Sequence, residues 1–146
     1  MCAAALNVKK YNDFLKYAQY ELLYSSSVYE KAFATYEIAD AYRYLKNYSL
    51  ANDFYDKSIE FLKTENMDDL EKELYLDNLK FKTWCYIALH QFKDAKKTIS
   101  LFDKFLKSNS KISSFERLKN EAQDLHRLYD NALYLDKAGI DYMEDL

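Results

Sequence analysis

The residues best suited to chemistry are few, and their spacing is poor for it. Cys85 stands between Trp84 and Tyr86, with Lys82 three residues before it and His90 five after. A reactive thiol needs a cation placed to favour the thiolate. Neither Lys82 nor His90 has that placement, so Cys85 is expected to be a small core residue. His90 and His126 lack the Cys or acidic spacing of a zinc site, and each is expected to be exposed or satisfied. Asp68-Asp69 and Asp136 with Asp141 are paired carboxylates, but they fall at a helix start or near the tail. Helix dipole and solvent account for them there. One Gly excludes a dinucleotide fingerprint and a phosphate-cradling loop. There is no His-Glu-x-x-His and no nucleophile elbow. The expectation is a non-enzyme with no cofactor and no metal.

Composition says what must position these side chains. The 146 residues suffice for one domain with a real core. Apolar residues make up 49% and charged residues 31%, a globular balance. With no Pro and one Gly, long helices are expected, because β-rich folds need both at their turns. Fifteen Tyr and nine Phe are read as filling between packed helices. Net charge is −3 with signs interspersed. No basic stripe is evident, so nucleic acid is not an expected partner. No apolar run spans a membrane, and the opening lacks the basic segment of a secretory signal. Cys2 and Cys85 make no disulfide framework. A cytoplasmic protein is expected.

Apolar spacing and capping signals predict six helices. The first runs from about Val8 to Tyr24, with Tyr11, Phe14, Leu15, Ala18, Leu22 and Leu23 on one face. Ser27 with Glu30 is a capping box opening the second, which runs to about Lys46. Asn47 marks a turn, and Ser49 can cap the third helix. Asp68 with Glu71 opens a fourth, from about Asp69 to His90. The fifth runs from about Lys93 to Ser108. Ser113 with Glu116 opens the sixth, to about Lys137. Gly139 suits a left-handed helix end. Residues 1–139 read as one helical repeat domain and 140–146 as an acidic, flexible tail.

One pattern organises these helices. Tyr42, Leu45, Tyr48, Ala51, Tyr55, Phe61 and Leu62 are followed 44 positions on by Tyr86, Leu89, Phe92, Ala95, Ile99, Phe105 and Leu106. A duplicated helical hairpin predicts an all-α fold of two to three stacked hairpins.

The segment from Ala39 to Ser58 resembles a tetratricopeptide repeat. Ala39, Ala51 and Ser58 hold the small positions where two helix axes approach, and Tyr42, Tyr48 and Tyr55 hold the aromatic ones. In the second copy Tyr86, Phe92 and Ala95 match, while Thr83, Ile99 and Phe102 depart from the pattern. The turn glycine and the closing proline of the family are absent, and the usual period is about 34 residues. The longer spacing is also similar to repeats in peptide-pheromone receptors of Gram-positive bacteria.

The resemblance implies a concave groove lined by Tyr36, Asp40, Arg43 and Tyr44 from one hairpin. Lys80, Trp84, Ile87 and Ala88 stand at the equivalent places of the next. It implies a protein or peptide partner held in that groove. The family's carboxylate clamp is not reproduced, since Asp40 stands where an Asn is needed. The competing readings are a self-associating structural subunit and a peptide-sensing domain of a regulatory system. Should the groove not bind, the outward aromatics Tyr20, Tyr24 and Tyr134 are the next surface expected to do so.

Overall fold

The computed structural model describes residues 3–63 and 66–139, and the side chains from residue 7 onward. All regular structure among them is helical: α1 (Ala3–Tyr24), α2 (Val28–Tyr44), α3 (Tyr48–Leu62), α4 (Asp69–Ala88), α5 (Phe92–Ser108) and α6 (Phe115–Lys137). The chain forms two compact units, Met1–Asn78 and Leu79–Leu146, with the boundary inside α4. Each unit buries its own side chains. The acidic tail expected over 140–146 lies outside the described residues.

The helix ends follow local chemistry. At α2 the Glu30 amide donates to Ser27 Oγ at 3.1 Å, and the Glu30 carboxylate accepts from the Ser26 amide at 3.1 Å. That carboxylate is held below the usual Glu range, chiefly by the Ser26 and Ser27 amides. At α4 the Glu71 amide donates to Asp68 Oδ1 at 2.9 Å. Two expected caps differ. Asn47, not Ser49, caps α3, accepting from the Leu50 amide. Ser49 falls one residue inside the helix, where its hydroxyl cannot reach the first amides. The sixth helix opens at Ser114 without a side-chain cap, so the Ser113–Glu116 box does not form. Gly139 takes φ 71°, just past the C-cap Ala138.

In the first unit, α2 packs against both α1 and α3. Close approach is possible because the contact positions are small: Ala18, Ala32, Ala39 and Ala51 are fully buried. Ala32, Leu62 and Leu74 form one core cluster, covered by Tyr29, Tyr36, Met67 and Tyr75. Tyr42 stacks on Phe54 with centroids 5.4 Å apart. On α1 the expected face holds except at Leu23, which is 76% exposed. Leu23 lies about 140° around the helix from the buried Ala18, beyond the edge of the face that Phe14, Leu15 and Leu22 keep.

The second unit is built from the last part of α4 with α5 and α6. Ile87, Ala95 and Ala132 are its buried centre, flanked by Tyr86, Phe92, Leu128, Tyr129 and Leu135. Thr83 sits where the first hairpin has Ala39. Its hydroxyl donates to Leu79 O at 2.7 Å and lies 2.6 Å from the Thr98 hydroxyl. A threonine therefore serves at a small position because its polar atom is satisfied.

Candidate protein-interaction site

The residues expected to line a groove fall into separate environments. Asp40, Arg43 and Tyr55 form a network between α2 and α3, which Tyr36 joins through Asp40. Tyr55 Oη donates to Asp40 Oδ1 at 2.5 Å, Arg43 Nε donates to Tyr55 Oη at 3.1 Å, and Arg43 Nη2 lies 3.4 Å from Asp40 Oδ1. The Asp40 and Arg43 side chains are only 17% and 10% exposed. Burial raises the Asp40 carboxyl above its usual range, against the lowering effects of Tyr55 and Arg43. The Tyr36 phenol is pushed far up, first by burial and then by the charge of Asp40. Tyr36 is half-buried beside Tyr55, with centroids 6.0 Å apart.

Tyr44 meets that network at Arg43. It is exposed, stacks on Tyr11 at 4.5 Å with an interplanar angle of 2°, and carries the Arg43 guanidinium over its ring. In the second unit, Lys80 Nζ lies 3.7 Å from Glu121 Oε1 and over the Phe81 ring. Trp84 and Ala88 are half-buried. Ile87 is fully buried in the α4–α5–α6 core.

The thiol and imidazoles also have places. Cys85 is fully buried. His90 Nδ1 lies 2.8 Å from Asp136 Oδ1, and His126 Nε2 lies 2.7 Å from Asp103 Oδ2. Among the described residues, no group of three His, Cys, Asp or Glu side chains gathers as metal ligands would. No helix among them is long and apolar enough to cross a membrane.

Tyr20, Tyr24 and Tyr134 are exposed, as outward aromatics should be, and two surfaces stand out. The first is the outer side of α1. Tyr17, Tyr20, Leu23 and Tyr24 are all more than half exposed, and the rings of Tyr20 and Tyr24 are 4.5 Å apart. Positions 17, 20 and 24 follow the i, i+3, i+7 spacing of one helical face. The same unit also carries a groove of about 460 Å³ lined by Leu22, Thr35, Phe54, Lys57, Glu60 and Phe61, from α1, α2 and α3. Of the twelve large hydrophobic side chains exposed among the described residues, ten lie in the first unit.

The second surface corrects an expectation. A basic stripe does exist, on α5, where Lys93, Lys96, Lys97 and Lys104 are exposed together. In linear order these lysines alternate with core residues. Only the helical period gathers them on one side.

Comparison with models of known protein families, with curated proteins and with solved structures finds no match.

Proposed function

We propose that this chain is a protein-binding helical module, an adaptor or scaffold whose two hairpins are tetratricopeptide-like repeats. One observation carries the reading: the unpartnered aromatic stripe Tyr17, Tyr20, Leu23 and Tyr24 on α1. A helix exposing apolar residues at this spacing offers a seat for the apolar face of another helix. The partner it fits is an amphipathic helix of a second protein. Tyr suits such a seat, because its ring supplies area and its hydroxyl stays wet at the rim.

The groove implied by the family resemblance is the second place a peptide could lie. There Asp40 and Arg43 are committed to each other and to Tyr55. They would act by holding Tyr36 in place, and Tyr36 would supply the contact area of the first hairpin.

A second reading is self-association through the same α1 stripe. A helix that meets its own copy across a two-fold axis buries one set of residues twice. A light-scattering mass separates the two readings. A monomer that captures a helical partner, and loses it in Tyr20→Ser/Leu23→Ser/Tyr24→Ser, supports the adaptor. A dimer that the same triple variant dissociates supports self-association.

A further inference from the structure

We propose that α5 of one molecule docks on α3 of a second copy of this chain, a lysine row meeting an acidic row at the same register of the repeat. The side of α3 turned away from its buried Ala51, Tyr55, Ser58 and Leu62 carries Asp53, Asp56 and Glu60, all exposed. The side of α5 turned away from its buried Ala95, Ile99, Phe102 and Leu106 carries Lys93, Lys97 and Lys104, also exposed. With Lys96, Ser100 and the exposed Leu101, these lysines line a shallow groove of about 480 Å³. A shift of 44 residues lays Lys97 on Asp53 and Lys104 on Glu60. The second hairpin thus repeats a helix of the first and reverses the charge on its bare side.

None of Asp53, Glu60, Lys93, Lys96, Lys97 and Lys104 forms an ion pair among the described residues. Lys57, at the edge of the acidic row, lies over the Phe54 ring. Asp94 and Asp103 flank the lysine row, and Asp103 is held by His126. Like charges three or four residues apart weaken a helix. Asp53, Asp56 and Glu60 are so spaced on α3, and Lys93 and Lys97 on α5. An opposed row of the other sign removes that repulsion and fixes the register of the contact. Asp53 to Glu60 and Lys97 to Lys104 each rise by about 10 Å along their helix. Antiparallel packing therefore pairs Asp53 with Lys104 and Glu60 with Lys97 at once. Leu101 stands to the same side of its row as Phe54 and Phe61 do of theirs. Antiparallel helices bring those sides together, so Leu101 meets the groove of about 460 Å³ that Phe54, Lys57 and Phe61 help to line. The two faces are different patches of one chain, which makes the contact head-to-tail.

Light scattering over a wide range of protein concentration tests this, in about 0.01 M and about 1 M salt, between which the screening length falls from about 30 Å to about 3 Å. In low salt the parent's mean mass is expected to climb with concentration to about twofold that of one chain or beyond. In high salt the climb is expected to vanish. Lys97→Glu/Lys104→Glu and Asp53→Lys/Glu60→Lys should each lose the climb in low salt while keeping the helical circular dichroism signal. Their equimolar mixture should regain it, because each variant supplies the row that the other lacks. Lys9→Glu/Lys10→Glu, on α1, changes the net charge as the α5 variant does and should behave as the parent. Equal masses in low and high salt overturn the proposal, since a contact through the apolar α1 stripe alone would not respond to salt in this way. A mixture that stays at the mass of one chain also overturns it. So does a climb lost in Lys9→Glu/Lys10→Glu, because net charge would then account for the effect.

Discussion

Lys46 and His90, 44 residues apart, share one backbone conformation, with φ 63° at the first and 58° at the second. Their hydrogen bonds repeat as well. The Asn47 amide donates to Tyr42 O at 2.9 Å, and Gln91 to Tyr86 O at 2.8 Å. Lys46 donates to Arg43 O at 2.9 Å, and His90 to Ile87 O at 3.0 Å. Each set is a Schellman turn with a non-glycine residue at its left-handed position. The sequence repeat is therefore a repeat of backbone geometry.

The turn predicts its own improvement. A side chain at positive φ is strained, and glycine is not. Lys46→Gly should stabilise by about 0.5–1 kcal/mol, and Lys46→Val should destabilise by at least as much. Urea midpoints of the three proteins check the order. Lys46 is the better site, because His90 also holds Asp136.

The helix crossing at Ala51 should not accept a larger residue. Ala51 is fully buried, so Ala51→Leu should cost about 1–3 kcal/mol by overpacking. Asp53→Ala, on the exposed side of α3, should change little. Equal melting midpoints for the two variants would contradict the assigned packing.

Asn52 should be held at a cost to stability. Both polar atoms of its amide are buried without a hydrogen-bond partner among the described residues. An unsatisfied buried amide is penalised, and an apolar residue of similar volume removes the penalty. Asn52→Leu should therefore raise stability by about 1 kcal/mol or more in chemical denaturation.

Asp40 and Glu30 should give stability opposite slopes with pH. Asp40 is raised by burial. Its contribution is full below the unfolded pKa and falls as pH rises through the folded value. Glu30 is lowered by the Ser26 and Ser27 amides. Its contribution is present above the unfolded pKa and is lost as pH falls through the folded value. Denaturation curves from about pH 3 to 8 should show the parent's margin over Asp40→Asn narrowing as pH rises. Its margin over Glu30→Gln should widen.

Much of the fold was legible in the sequence, because caps and small residues act locally. Ser27, Asp68 and Gly139 each end or begin a helix through a neighbour three or four residues away. The departures in the second hairpin are also intelligible now. Tyr55 needs Asp40 and Arg43 for its phenol. The positions 44 further on hold Ile99, Trp84 and Ile87, so the polar trio is replaced as a unit by apolar side chains. The candidate site was less legible. Periodicity turns Tyr20 and Tyr24 outward on α1, but it did not put Leu23 beside them. The lysines of α5 carry no signal until they are wound on a helix.

Binding of a helical peptide, selected against the immobilised protein, tests the central claim most directly. Its affinity is compared between the parent and Tyr20→Ala, with Trp84→Ala alongside. A seat on α1 predicts a loss of about 2 kcal/mol or more at Tyr20, with the helical circular dichroism signal intact and Trp84→Ala near the parent. Undiminished binding by Tyr20→Ala, with loss at Trp84→Ala, would contradict a seat on α1 and move the site to the groove the repeat resemblance implies.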